Sequence, residues 1–183
     1  MTSSLADVAG AVAAHLRLKG IDVVVVGGSA ITVHVPAVYT SHDIDFAVPT
    51  GQRLGEITAA LAQIGFVRIG REYVAPNVVY SVDIVADVPM IEQEAIYDYA
   101  LIETTSGMLK ALHLEDAISD RVAAFVHWSD SESLDVAERA LSAARVRIDD
   151  GRLVTALRRL RPEGAAASLR LELARERLNK IVS

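Results

Sequence analysis

The run Val23-Val24-Val25-Val26 ends in Gly27-Gly28-Ser29, and fourteen residues after Ser29 comes Asp43-Ile44-Asp45. A buried strand that closes on two glycines and a serine can hold phosphate oxygens on backbone N–H groups, and a D-x-D on the next strand can hold the accompanying cation. A third acid, Asp83, interrupts an otherwise apolar alternating stretch. If its strand joins the same sheet, three carboxylates converge beside the glycine turn. Mg²⁺ or Mn²⁺ suits such a site, because these hard cations bind through a few carboxylates plus substrate phosphates. Alone, D-x-D is as readily a turn or cap pattern and Asp83 a solvent-facing residue; the conjunction points to a metal and nucleotide site. Better-known phosphate motifs do not fit. Gly27-Gly28-Ser29-Ala30-Ile31-Thr32 lacks the third glycine of G-x-G-x-x-G, and no Gly-Lys-Ser/Thr follows.

The elements that must position these residues are legible as periodicities. Residues 4–19 read as an amphipathic helix stopped by Gly20, and Ile21 to Val26 as a central strand buried on both faces. A short helix is expected from Ser29 to about His34, limited by Pro36. Asp43 to Val48 alternates, so both carboxylates share a face. A second helix is expected over Gly51 to Gly65, then strands at Phe66 to Ile69, Glu72 to Ala75 and Val78 to Ala86. Residues 90–107 read as a short helix or loop plus an edge, with a last strand at Met108 to Leu112. Helices follow at Leu114 to Trp128, Ser133 to Ala144, Asp150 to Leu160 and Ala165 to Ile181.

Half of the 183 residues are hydrophobic, enough for one core with a small appended subdomain. The absence of cysteine excludes thiol redox chemistry and thiolate zinc sites, and the five histidines lack metal-ligand spacing. No apolar run approaches the roughly 20 residues that cross a bilayer. The N-terminus Met1-Thr2-Ser3-Ser4 has no basic flank or apolar signal core, so no membrane and a cytoplasmic location are expected. A net charge of −6 argues against a surface given wholly to nucleic acid. Residues 1–113 hold six Lys/Arg against twelve Asp/Glu, whereas residues 145–183 hold ten against five. Ion-paired helix faces are the preferred reading of that basic tail, ahead of an RNA-binding patch.

Gly28-Ser29, Asp43, Asp45 and Asp83 together resemble the nucleotidyltransferase superfamily, with its Gly-Gly/Ser turn, short helix, D-x-D strand and later carboxylate. The stretches Gly27 to Ala30, Val38 to Phe46 and Asp120 to Asp130 are similar to a bacterial subgroup akin to the nucleotidyltransferase toxins of type IV toxin-antitoxin and abortive-infection systems. The likeness covers about residues 20–165. It implies an α+β nucleotidyltransferase fold, a mixed sheet flanked by helices, with a core over residues 1–113 and a C-terminal helical subdomain over residues 114–183.

It also implies a Mg²⁺-dependent enzyme that moves a nucleoside monophosphate from an NTP such as ATP to a hydroxyl acceptor. Asp43, Asp45 and Asp83 would be the metal ligands and catalytic acids, and Gly27, Gly28 and Ser29 would cradle the phosphates. In the related toxins a helix lysine and a later aspartate help hold the nucleotide; here Arg121 and Asp130, or Asp135, take those positions. Arginine can clamp a triphosphate but serves poorly as a base. His42, before the D-x-D, reads as a surface residue. The toxin resemblance favours RNA, foremost tRNA, as acceptor and an antitoxin as partner, while the acidic front would suit an aminoglycoside and a protein hydroxyl stays open. The alternatives are a non-catalytic nucleotide- or partner-binding module of the same fold, and an unrelated α/β protein with chance motifs.

Overall fold

Ser4 opens the first helix by accepting the Asp7 N–H on its hydroxyl at 3.2 Å, and α1 (Leu5–Leu18) turns Leu5, Ala9, Val12 and Leu16 inward. The computed structural model describes residues 3–182. Met1 and Thr2, part of the N-terminus read as lacking an export signal, lie outside the described residues. Ile21 and Val23 to Val26 are all buried as expected, yet the strand β1 is only Val24–Val25. The ladder is short because Asp22 is drawn to Lys110 and Thr50, while the chain turns at once into α2 (Gly27–His34). That helix begins at Gly27, two residues earlier than the sequence predicts.

β2 (Asp43–Ala47) runs antiparallel to β1 and parallel to β5 (Ser81–Ala86). Between them lie α3 (Leu54–Ala62), β3 (Val67–Ile69) and β4 (Glu72–Val74), which form an antiparallel extension on the β5 side.

The stretch over residues 90–107 keeps the expected edge but differs before it. It folds into a small hairpin, β6 (Met90–Ile91) with β7 (Glu94–Ala95), and then β8 (Ala100–Thr104), with no helix. β9 (Gly107–Ala111) pairs antiparallel with β8 and parallel with β1, so it lies inside the sheet and β8 takes the edge. The seven-stranded order is β3-β4-β5-β2-β1-β9-β8, a mixed sheet that puts the D-x-D strand at its centre.

The C-terminal third is helical at nearly the expected bounds: α4 (Leu114–Trp128), α5 (Ser131–Ala144), α6 (Asp150–Arg158) and α7 (Gly164–Val182). α4 packs on α2 as well as on α5, α6 and α7, so one hydrophobic core runs across the boundary near residue 113. His15 and His34 are structural, bonding the carbonyls of Ala60 at 3.0 Å and Leu112 at 2.8 Å. Among the described residues no helix is long and apolar enough to cross a membrane.

Candidate active site

The β2–β5 register sets Asp45 directly opposite Asp83 and Asp43 opposite Ser81, which brings the three sequence-predicted acids onto adjacent parallel strands. Gly27, with φ +60°, occupies the left-handed region that only glycine enters without strain, and a Cβ there would stand 2.6 Å from Asp45 Oδ2. Gly28 is limited by space alone, since its Cβ would meet the Tyr39 ring at 2.9 Å. The glycines therefore let the opening of α2 lie against the D-x-D carboxylate and Tyr39. Helix geometry leaves the first N–H groups of α2 without intrahelical acceptors, a ready anion cradle. The Ser29 hydroxyl is already engaged: it donates to Val26 C=O at 2.7 Å and accepts the Asp45 N–H at 3.1 Å. Its side chain thus ties the helix start to β2, and only its backbone remains for a phosphate.

Electrostatics mark the acids as one system. Burial, then the Asp43 and Asp83 carboxylates, push the Asp45 pKa from 3.8 up to about 7, with Arg121 opposing. Each neighbour has a partner that sequence reasoning missed. Ser41 donates to Asp43 at 2.7 Å, its own N–H held by Thr32 Oγ1. Arg71, a side chain 80% exposed at the β3–β4 turn, reaches in to pair with the buried Asp83 at 3.2 Å. No three carboxylate or imidazole groups among the described residues stand in a ready-made metal cage. Asp43 and Asp45 still fit a divalent cation. Mg²⁺ is commonly bound through one or two carboxylates and completed by substrate phosphates, and positive charge would relieve the repulsion that Asp45 records.

Arg121 lies on α4 facing the same cleft. It donates to Asp120 at 2.7 Å, and its buried Nε–H finds no partner among the described residues. Burial pulls its pKa down, but Asp120, Tyr39 and Asp45 outweigh that and raise it, so the guanidinium stays charged. It lines a cleft of about 340 Å³ with Gly27, Asp45, Asp120, Met90 and Trp128, and also a recess of about 110 Å³ with Tyr39 and Asp130. Asp130 caps α5, accepting the Ser133 N–H at 3.1 Å and the Ser133 hydroxyl at 2.7 Å, which holds its pKa below the usual range. Asp135 instead pairs with Arg177 on α7, outside the cleft lining, and His42 is exposed as expected.

The fold aligns with an antigenic nucleotidyltransferase-like protein from Paracoccidioides brasiliensis over 97% of this chain and 88% of that one, with a TM-score of 0.54 and 14% identity. The fold is nucleotidyltransferase-like. Two further structures align more loosely. ANT(2″)-Ia in complex with adenylyl-2″-tobramycin matches at TM-score 0.48 and 16% identity, covering 94% of this chain and 97% of that one. JHP933 from Helicobacter pylori matches at TM-score 0.42 and 17% identity, covering 99% and 95%. At 14% identity the likeness to the Paracoccidioides brasiliensis protein is one of fold. No family model matches the chain, and no curated protein matches it in sequence.

Proposed function

We propose that this chain transfers a nucleoside monophosphate from an NTP to a hydroxyl acceptor in a Mg²⁺-dependent reaction. The observation that carries this reading is the Asp45–Asp83 register beside the glycine opening of α2, where burial and the charges of Asp43 and Asp83 raise the Asp45 pKa. The N–H groups at Gly27, Gly28 and Ser29 receive triphosphate oxygens, and Arg121 adds a fixed positive charge. Asp43 and Asp45 would hold the divalent cation, which when bound neutralises the triphosphate and acidifies an acceptor hydroxyl. The acceptor oxygen forms the new bond to the α-phosphorus, the bond to pyrophosphate breaks, and Asp83 takes the proton once Arg71 releases it.

A toxin role, an antitoxin partner and an RNA acceptor rest on the sequence resemblance alone. A second reading, a module that binds nucleotide without transferring it, is favoured by one observation, the Arg71–Asp83 pair that occupies the third acid.

Calorimetric titration with each NTP in Mg²⁺, for the wild type and the Asp43→Asn and Asp45→Asn variants, tests the site. Metal-dependent binding that both variants lose is the expected result. Labelled NTP is then offered with tRNA, total protein or an aminoglycoside, and label transfer to one of them identifies the acceptor class. Binding without transfer to any acceptor favours the module, and a folded wild type that binds no NTP overturns the reading.

A further inference from the structure

Trp128 is the chain's one tryptophan, and it is 78% exposed where most large apolar side chains of this protein are covered. It is not isolated. Met90, 47% exposed, and Val85, 49% exposed, line the same cleft and give it an apolar rim. Trp128 ends α4, whose C-cap Ser129 adopts φ +60°, and the neighbouring His127 ring stands edge-on to it at 6.2 Å and 61°. His127 is itself bonded to Glu92 of the β6–β7 hairpin at 2.6 Å, and that hairpin presents Met90.

Trp128 lies seven residues after Arg121, two turns along one face of α4 and about 10 Å away at 1.5 Å rise per residue. One wall of the cleft therefore carries a fixed cation near the phosphate-cradling end of α2 and an aromatic plane beyond it. That spacing suits a nucleotide spanning from its phosphates across the ribose to its base. We infer that Trp128 is the stacking platform for the nucleobase of the NTP, with Met90 and Val85 completing the base pocket. This rests on the transferase reading above. Val85, Ala86, Pro89, Met90 and Leu112 offer no side-chain hydrogen-bonding group to a base edge. Recognition there goes by stacking area, so purine nucleotides bind ahead of pyrimidine ones, with little distinction between ATP and GTP.

The sole indole is its own probe. In Mg²⁺, ATP should quench Trp128 emission while inorganic tripolyphosphate, which binds the same cradle without a base, should not. Trp128→Ala should weaken ATP about tenfold, leave tripolyphosphate affinity unchanged, and be largely rescued by Trp128→Phe. Its exposure makes loss of folding on substitution an unexpected outcome, checked by thermal unfolding. ATP binding with unmoved emission, with affinity unchanged in Trp128→Ala, or with ATP and tripolyphosphate weakened alike, overturns this inference and leaves the transferase reading standing. Failure of the wild type to bind either ligand overturns both.

Discussion

Asp45 shows at the scale of one residue what the site costs the fold. Its carboxyl is partly buried beside Asp43 and Asp83, and its pKa stands at about 7 against 3.8 in the unfolded chain. Between those values the native state binds the extra proton, so stability falls as pH rises through the window from about 4 to 7. Above it, the charged Asp45 destabilises the metal-free protein by on the order of 1–2 kcal/mol once solvent screening is allowed for. Asp45→Asn removes the charge and keeps the shape. In chelator at pH 8 the variant should unfold roughly 2–4 °C higher than the wild type, about what 1 kcal/mol gives for a chain of this size, and the gain should fade by pH 5. A variant more stable yet unable to bind NTP is the signature of an acid kept for function rather than for folding. Equal melting temperatures at pH 8 would mean that the three carboxylates are not coupled in solution.

Elements were legible where period and punctuation agreed. Leu114 to Trp128 carried both a helical stripe and acidic first-turn residues, and α4 has those bounds. The D-x-D alternation likewise fixed which acids share a face, because side-chain direction in a strand has period 2. Over residues 90–107 the edge was legible and the hairpin was not, because β6 and β7 are two residues each, too short for a period to register. The partners of the acids failed for another reason. Arg71 and Ser41 reach Asp83 and Asp43 through pairing and loop geometry that no local pattern encodes. Long-range ion pairs were equally hidden, and the largest is structural. Asp116, fully buried in the first turn of α4, accepts from Arg152 on α6 at 2.9 Å and from Arg159, the C-cap of α6, at 2.6 Å. The same arginines reach Asp98, between β7 and β8, and Glu94 of β7, so the pair ties the α6 end to α4 and to that segment at once. Asp116→Asn would leave two partly buried guanidiniums without their shared carboxylate, a loss of about 3–5 kcal/mol. Thermal unfolding should show a drop of roughly 10 °C, and a change under about 2 °C would mean that the network contributes little.

The whole molecule resolves the contrast between an acidic front and a basic tail. Tail arginines 152 and 159 pair with Asp98 and Glu94 of the front, Arg177 pairs with Asp135 and Glu138 of α5, and Arg145 and Lys180 pair with Asp150 and Glu176 within the tail. Arg147, Arg170 and Arg175 donate to backbone carbonyls. The charge excess visible in sequence is largely spent on holding the C-terminal helices in place. A phosphate backbone laid on the tail would have to compete with those carboxylates, and the net charge of −6 adds long-range repulsion. If RNA is the acceptor, its end must be held in the cleft, with few phosphates neutralised elsewhere. Anisotropy of labelled tRNA across a salt series should then give a log K against log[salt] slope shallower than about −2, equivalent to fewer than three phosphates. Charge reversal at the exposed Arg158 should leave that slope unchanged. A slope steeper than about −5 that Arg158→Glu reduces would show the opposite, that the tail opens its ion pairs to RNA. The shallow slope would leave the net charge of −6 as the dominant long-range field, one that draws a polycationic acceptor and disfavours a long polyanion such as RNA.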